Sequence, residues 1–214
     1  MPIVCLEGPS AVGKTTLAAA LAESVGAFVV PEVNLLFERP ADEPPMWYLE
    51  RQAERWAIAA KEAAAGALVV LDGDVFQPLW YNWAYGFAGR QSLDALEAFY
   101  RRRLASGEIG FPALYAVLRA SEETLRARKE ADATRRRGGF ETHLRFIEPQ
   151  KRYFAAMRER APELVRFVDA DEVDTAAWEV ATAAEHASPV ARPVELFDAM
   201  IRWLSDHPAG EPSG

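Results

Sequence analysis

One short segment near the start of the chain constrains the fold more than any other feature. Residues 8–16 read Gly-Pro-Ser-Ala-Val-Gly-Lys-Thr-Thr and fit the pattern G-x-x-x-x-G-K-[ST]. An apolar run at residues 3–6 precedes the segment, and a helix-like stretch at residues 17–23 follows it. This order of strand, loop and helix is the context that a phosphate-binding P-loop requires. The sequence therefore predicts that the chain binds a nucleoside triphosphate.

The residues of this loop have distinct predicted roles. The glycines let the backbone curl so that consecutive N–H groups point at phosphate oxygens, and the following helix adds its positive N-terminal end. Lys14 is expected to reach the terminal phosphates, and the hydroxyl of Thr15 suits Mg²⁺. The predicted nucleotide contacts are Gly8, Ser10, Ala11, Val12, Gly13, Lys14, Thr15 and Thr16.

Composition narrows the class of protein. A chain of 214 residues, half of them hydrophobic, fits a single domain with one good core. The net charge of −8 argues against a general nucleic-acid surface, and the three histidines are too scattered for a zinc site. The one cysteine, Cys5, excludes an internal disulfide and makes the cytoplasm the expected compartment. No apolar stretch is long enough to span a bilayer, so no membrane partner is expected.

Apolar strands alternate with helical patterns along the chain. Strands are expected at residues 3–7, 27–30, 67–71, 113–118 and 164–168. Helices are expected at residues 14–25, 46–65, 122–130, 140–160, 175–186 and 193–205, with Pro149 breaking or kinking the fourth near Glu148. The alternation predicts an α/β, three-layer P-loop fold with a five-stranded parallel sheet and helices on both faces. We expect one domain at residues 1–207, including a helical extension at 173–206, and a flexible tail at 208–214.

Acidic residues follow the predicted strands. Glu32 comes just after the second strand, and Asp72 and Asp74 follow the third. Phosphoryl transfer needs one carboxylate to accept the proton of the acceptor hydroxyl and another to hold Mg²⁺. Glu32 is predicted for the acceptor and Asp72 for the metal together with Thr15, although the pattern alone leaves open which of the two carboxylates is the general base. Asp74 is predicted to contact the acceptor.

A basic segment interrupts the acidic balance. Arginines and a lysine crowd residues 126–137 and are followed by Gly138-Gly139: they are Arg126, Arg128, Lys129, Arg135, Arg136 and Arg137. Guanidinium groups bind phosphate oxygens, and paired glycines supply a hinge. The segment 126–139 is predicted to be a lid, with Arg126 and Arg128 on the nucleotide and Arg135 and Arg136 at the transferred phosphoryl group. A solvated helix face and an RNA-binding patch are the alternatives.

Aromatic residues are concentrated before and after the third strand. Trp80 and Trp83 are predicted to stack on an acceptor, and Gln52 to pair with its polar edge. About half of the aromatic residues of these segments are expected to be core instead, and a helical period does not tell which half.

Taken together, these features of the chain resemble those of the small P-loop kinases. The P-loop at residues 8–16, the acid Glu32 after strand two, the helix with Gln52 and the acid Asp72 after strand three are similar to those of the deoxynucleoside and thymidylate kinase-like group, which includes nicotinamide-riboside-kinase-like and antibiotic-phosphorylating relatives. The resemblance implies ATP and Mg²⁺ as cofactors, Glu32 as base or substrate contact, and arginines of the lid on the phosphates. It also implies that residues 170–173 flank the adenine.

One departure bears on the acceptor. These families usually have an arginine after the acid of strand three, whereas this chain has Asp72-Gly73. The change favours an uncharged small-molecule acceptor with hydroxyl or amino groups, such as a nucleoside, an aminoglycoside-like compound or another polyol. The sequence does not identify the acceptor. It also leaves open whether the donor is ATP or GTP and whether the protein forms a homodimer. Two alternatives belong to other functional classes. One is a nucleotide-binding regulatory ATPase, but such a protein usually has an Asp-Glu pair after the apolar strand, where this chain has Asp-Gly-Asp. The other is an RNA-modifying kinase, which the net charge disfavours.

Overall fold

The computed structural model describes residues 1–131 and 140–209, with the side chain of Thr142 left out. In these residues five parallel strands form one sheet in the order β2-β3-β1-β4-β5. The strands are Ile3–Glu7 (β1), Phe28–Val30 (β2), Val69–Asp72 (β3), Leu114–Arg119 (β4) and Val165–Asp169 (β5). The predicted α/β fold with a five-stranded parallel sheet is thus confirmed.

Ten α-helices of the described residues connect the strands and cover the sheet. They are Lys14–Val25 (α1), Val33–Leu36 (α2), Trp47–Ala64 (α3), Gln77–Ala84 (α4), Leu93–Ser106 (α5), Glu122–Ala131 (α6), Phe140–Leu144 (α7), Ile147–Arg160 (α8), Val173–His186 (α9) and Pro193–Asp206 (α10). None of them is both long enough and apolar enough to cross a bilayer.

The central strands are apolar on both sides because helices cover both faces of the sheet. Val4 and Leu6 of β1 belong to one buried cluster, which α1 and α9 complete. Cys5, between them, belongs to a second cluster, built with α3, α4, α5, α8 and α10. Because side chains alternate along a strand, the two clusters are the two faces of the sheet, and the protein has three layers.

The helical stretch at residues 140–160 is divided in two. Helix α7 ends at Leu144 and α8 begins at Ile147, so Pro149 lies in the first turn of α8. Proline is tolerated there because the N–H groups of the first turn have no intrahelical partner. The break therefore falls slightly before the predicted position at Glu148.

The topology creates a crevice beside β1. Strands β1 and β4 are neighbours, but the connection after β1 leads to β2 on one side and the connection after β4 leads to β5 on the other. Open α/β sheets bind ligands where the connections diverge in this way, beyond the carboxyl ends of the strands. The P-loop and the acids after β2 and β3 lie at this edge.

Candidate active site

The P-loop connects the end of β1 to the start of α1. Its backbone has positive φ angles at Gly8 (141°), Ala11 (69°) and Gly13 (106°). A Cβ added to Gly8 would lie 2.7 Å from the carbonyl oxygen of Leu118 in β4. Position 8 therefore requires glycine both for its φ angle and for the close approach of a neighbouring strand.

Lys14 begins α1 and bends back over the loop that precedes it. Its Nζ donates hydrogen bonds to the carbonyl oxygens of Gly8 (2.9 Å) and Pro9 (3.4 Å). The ammonium is thus held beside the N-terminus of α1, where helix and loop N–H groups favour an anion. The other predicted nucleotide contacts lie in the same turn or at the start of α1: Ser10, Ala11, Val12 and Thr16.

Thr15 and Asp72 join the first turn of α1 to the end of β3. Thr15 Oγ1 donates a hydrogen bond of 2.8 Å to Asp72 Oδ2. Asp72 is buried, and its Oδ1 has no hydrogen-bond partner among the described residues. A carboxylate beside a hydroxyl is the kind of oxygen site that Mg²⁺ takes in phosphoryl-transfer proteins. The two residues predicted for the metal are therefore in contact, and their chemistry fits this cation.

Glu32 lies at the carboxyl end of β2, where it is the N-cap residue of α2. Its partly exposed side chain lines the same cavity as Lys14 and Asp72. Within the described part of the chain the carboxylate makes no hydrogen bond or ion pair. It can therefore accept a hydrogen bond from a molecule in the cavity.

Two further carboxyl groups are buried at the bottom of the cavity. Glu7, the last residue of β1, accepts hydrogen bonds from the backbone nitrogen of Asp74 (2.7 Å, Oε1) and from Gln150 Nε2 (2.6 Å, Oε2). Asp74 Oδ1 accepts one from the hydroxyl of Tyr115 (2.9 Å), while its buried Oδ2 has no partner among the described residues. Asp74 was predicted to contact the acceptor. Glu7 was missed, although its position directly before the P-loop is a signal that the sequence contains.

Burial changes the protonation of this pair. Desolvation, and then the charge of Glu7, raise the pKa of Asp74 from 3.8 to about 8. Desolvation also raises the pKa of Glu7, and the nearby ammonium of Lys14 opposes that rise. The two carboxyl groups interact, so Asp74 is the member of the pair that carries a proton near neutral pH.

Gln52 and Arg55 form the wall of the cavity that α3 contributes. Each of these residues is only 1% exposed, and Gln52 Oε1 accepts a hydrogen bond of 2.6 Å from Arg55 Nη1. Arg55 Nη2 donates to the carbonyl oxygens of Asp72 (2.8 Å) and Gly73 (3.0 Å). An arginine therefore stands at the end of β3 after all, but it comes from α3 and was not predicted for the site.

The two tryptophans predicted to stack on the acceptor have different environments. Trp80 lines the cavity, and its buried Nε1 has no hydrogen-bond partner among the described residues. Trp83 instead packs in the core with a centroid distance of 5.1 Å to Trp203, and its Nε1 donates to the carbonyl oxygen of His207 (2.6 Å). Trp83 is not among the residues that line the cavity, so the structure does not bring it to the predicted contact with the acceptor.

Helices α7 and α8 and the residues between them also line the cavity. They contribute His143 of α7, Phe146 just before α8 and Gln150 of α8. His143 Nε2 lies 3.4 Å from the hydroxyl of Tyr81. Desolvation, and then the charge of Lys14, lower the pKa of His143, so the imidazole is neutral at physiological pH. Sequence reasoning found no role for this histidine.

The two arginines of the predicted lid that the structure describes differ in their partners. Arg128 donates to the carbonyl oxygens of Val12 (2.8 Å) in the P-loop and of Ala170 (2.7 Å) and Asp171 (3.1 Å) after β5. Arg126 instead pairs with Glu122 and Glu141 on the exposed surface. Arg128 is thus at the loop that was predicted to flank the adenine, whereas the structure does not bring Arg126 there. The remaining lid residues, Arg135, Arg136 and Arg137, lie outside the described residues.

The groups described above as lining the cavity all belong to one cavity, which has a volume of about 1270 Å³. Its lining includes the P-loop with Lys14, the acids at the strand ends, and side chains of α3, α4, α7 and α8. The cavity can hold a phosphate chain at the P-loop and a polar molecule beside it. The site therefore combines an anion-binding P-loop with the carboxylate of Glu32 in one cavity.

Comparison with protein families agrees with this geometry. Residues 3–157 match the model of a family described as an AAA domain. Because the match covers most of the chain, the protein belongs to this AAA domain family of P-loop proteins. No curated protein sequence matches the chain significantly.

Solved structures share the fold at low sequence identity. A deoxyadenosine kinase from M. mycoides with bound dATP is 17% identical, with a TM-score of 0.56 over 85% of this chain and 98% of that one. The same enzyme with its products dCMP and dCDP is 16% identical, with a TM-score of 0.54 over 86% and 98%. A gluconokinase from Sinorhizobium meliloti 1021 is 15% identical, with a TM-score of 0.44 over 86% and 92%. The chain therefore shares the α/β fold of the two deoxyadenosine kinase structures.

Proposed function

We propose that the protein is a kinase that uses ATP and Mg²⁺ to transfer the γ-phosphoryl group to a hydroxyl of a small molecule. One observation carries the proposal: the cavity is lined by Lys14, by Asp72 with its partner Thr15 beside it, and by Glu32, whose carboxylate has no hydrogen bond or ion pair among the described residues. A nucleotide site alone would need the first two features. A carboxylate in the same cavity is what an acceptor hydroxyl requires.

The P-loop end is suited to the donor. Lys14 exchanges its carbonyl partners for the oxygens of the terminal phosphates, since an ammonium gains more from charged acceptors than from neutral ones. Thr15 and Asp72 would hold Mg²⁺: the hydroxyl of Thr15 and Asp72 Oδ1, which has no hydrogen-bond partner among the described residues, are the oxygens they offer. When bound, this cation neutralises charge on the phosphate oxygens.

Glu32 is placed for the acceptor. A carboxylate that accepts the hydrogen bond of the acceptor hydroxyl orients its oxygen for attack and removes the proton as the bond to phosphorus forms. Most of the rate acceleration in phosphoryl transfer comes from such positioning and from charge neutralisation. The buried side chains of α3 and α4 exclude water from this half of the cavity, which limits wasteful hydrolysis.

The proposed acceptor is uncharged. Arg55, the guanidinium that stands at the end of β3, uses four N–H···O contacts on carbonyl oxygens and Gln52. A guanidinium has five N–H groups, so little of this one is left to bind a phosphate of the acceptor. Nucleosides and polyols fit better than nucleoside monophosphates.

A substrate panel tests the proposal. The purified protein is incubated with Mg²⁺ and either ATP or GTP in the presence of deoxynucleosides, nucleosides, aminoglycosides and sugars, and release of the nucleoside diphosphate is measured. The expected result is release that one acceptor class stimulates, with a phosphorylated product found by mass spectrometry. Release that no acceptor stimulates would instead favour a regulatory ATPase. The Lys14→Ala protein, prepared in parallel, corrects for contaminating kinases.

A further inference from the structure

Arg55 is a buried cation whose hydrogen bonds go to neutral groups. The residue is 1% exposed and forms no ion pair within the described part of the chain. Its donors reach the carbonyl oxygens of Pro31 (2.8 Å, Nε), Asp72 (2.8 Å, Nη2) and Gly73 (3.0 Å, Nη2), and Gln52 Oε1 (2.6 Å, Nη1). Burying a charged group is costly unless its hydrogen bonds are satisfied. A core position does not need such a group, so its presence at a cavity wall calls for another explanation.

The main-chain partners of Arg55 are at the ends of two strands. The last paired residues of β2 and β3 are Val30 and Leu71. Beyond this pair the sheet hydrogen bonds between the two strands stop, and the chains lead to Glu32 on one side and to Asp72 on the other. Arg55 bridges the strand ends at this point, because Nε binds the carbonyl of the residue before Glu32 while Nη2 binds the carbonyl of Asp72 itself.

The same guanidinium fixes the orientation of Gln52. Arginine can only donate hydrogen bonds, so the atom of Gln52 that faces Arg55 must be the amide oxygen. The amide nitrogen, with its two N–H groups, is then the part of Gln52 left for a molecule in the cavity. One arginine thus fixes a donor on α3 relative to the carboxylates after β2 and β3.

We propose that Arg55 is the positioning residue of the acceptor half of the site: its planar fork sets the distances between Glu32, Asp72 and the amide of Gln52. The inference rests on the proposed kinase function for the roles of these three groups. The bridge itself is a property of the fold. Lysine cannot replace it, because a single Nζ cannot reach carbonyl oxygens on two strands and an amide with the geometry of a fork.

The first test measures the bridge without any reaction. Arg55→Met and Arg55→Lys are compared with Arg103→Met, since Arg103 is also a buried arginine but pairs with Glu50, away from the cavity. Hydrogen exchange of the backbone amides at residues 32–36 and 73–76 should become faster in both Arg55 variants and stay unchanged in Arg103→Met. Unchanged exchange at both strand ends in a folded Arg55→Met protein overturns the inference.

The second test is kinetic. Misplacement of reacting groups by about 1 Å costs about 100-fold in rate. Arg55→Met should therefore lower kcat by about 100-fold and raise the KM for the acceptor, while the affinity for ATP, measured by calorimetry, stays near the wild-type value. The kcat and acceptor KM of Arg55→Lys should fall between those of Arg55→Met and the wild type. Arg103→Met should lower the melting temperature but not kcat.

The two failures are distinguishable. Wild-type protein without acceptor-stimulated transfer contradicts the proposed function, and the exchange experiment still decides whether Arg55 holds the strand ends. Active wild-type protein with an Arg55→Met variant that keeps its kcat and acceptor KM contradicts the positioning role alone.

Discussion

The carboxylate of Glu7 accepts a hydrogen bond of 2.7 Å from the backbone nitrogen of Asp74, 67 positions further along the chain. The last residue of β1 therefore holds the turn that follows β3, directly beside the P-loop. Both side chains are almost fully buried, and together they place two carboxyl groups where only one negative charge is well tolerated.

The first prediction concerns stability and pH. Because burial and the charge of Glu7 raise the pKa of Asp74 to about 8, the folded protein keeps a proton on Asp74 that the unfolded chain loses near pH 4. Between these values the folded state binds more protons, so the free energy of unfolding should decrease as the pH rises. The contribution of a single group is about 1.4 kcal/mol per pH unit in the middle of this window. Urea unfolding between pH 5 and pH 8 measures it.

The Asp74→Asn variant provides the comparison. Its unfolding free energy should lose this slope, because the amide does not titrate. Asp42→Asn, at an exposed carboxylate, should retain the wild-type pH dependence. Equal slopes for all three proteins would show that Asp74 is ionised in the folded state.

The second prediction concerns the nucleotide. Lys14→Ala should lower phosphoryl transfer by at least about 100-fold, the scale of losing one electrostatic contact to the transition state. The variant should remain folded, since the hydrogen bonds that the ammonium makes with described residues go to carbonyl oxygens of its own loop. Circular dichroism checks the fold, and initial rates check the transfer. Near-normal turnover in a folded variant would contradict the assignment of the P-loop.

The third prediction separates two carboxylates. Glu32→Gln should abolish transfer but leave ATP affinity nearly intact, because the amide keeps the shape of the side chain and loses its basicity. Asp72→Asn should instead raise the Mg²⁺ concentration needed for half-maximal activity, since it alters the partner of Thr15. Titrations of Mg²⁺ at saturating ATP distinguish the two. If both variants give the same profile, the division of roles is wrong.

The fourth prediction uses two tryptophans one turn apart on α4. Trp83→Ala should lower the unfolding free energy by about 3–5 kcal/mol, the usual cost of removing a large core side chain, with little change in the acceptor KM of the folded fraction. Trp80→Phe should instead change the acceptor KM and leave the unfolding free energy nearly unchanged, because it alters the cavity wall and removes an indole N–H that has no hydrogen-bond partner among the described residues. Thermal melts and acceptor KM values are measured on both. A Trp83→Ala protein that changes the acceptor KM and not stability would contradict the structure.

The fifth prediction concerns two arginines on α6. Arg128→Met should weaken ATP binding, because Arg128 ties the P-loop at Val12 to the loop at Ala170. Arg126→Met should leave ATP affinity near the wild-type value, since its partners are the surface carboxylates Glu122 and Glu141. Calorimetric titration with ATP compares them. Equal losses of affinity would mean that Arg126 reaches the nucleotide after all.

Local sequence patterns were sufficient to predict the sheet and the P-loop. The strands are continuous apolar runs and the loop has a fixed spacing, so each can be recognised within a few residues. Helix α2, of four residues, is too short to show a period. Strand ends were predicted to within two residues, which left Asp72 just outside the strand that it ends.

Tertiary contacts explain what the sequence could not show. Glu7 gains its role from Asp74 and from Gln150, 143 positions away. Arg55 lies in a helix whose period shows which side is buried, but not that this side meets the ends of β2 and β3. Trp80 and Trp83 are equally apolar, and only tertiary contacts, such as that of Trp83 with Trp203 of α10, separate the cavity wall from the core.

The position of Trp80 also means that the intrinsic fluorescence of the protein can report ligand binding. The buried indole N–H of Trp80 has no hydrogen-bond partner in the part of the chain that the structure describes, and an indole emits according to the polarity and hydrogen bonding around it. A molecule that enters beside Trp80 should therefore change its fluorescence. The other five tryptophans of the chain add background that Phe substitutions can reduce. Binding of candidate acceptors could then be followed by light emission alone, before any product is formed.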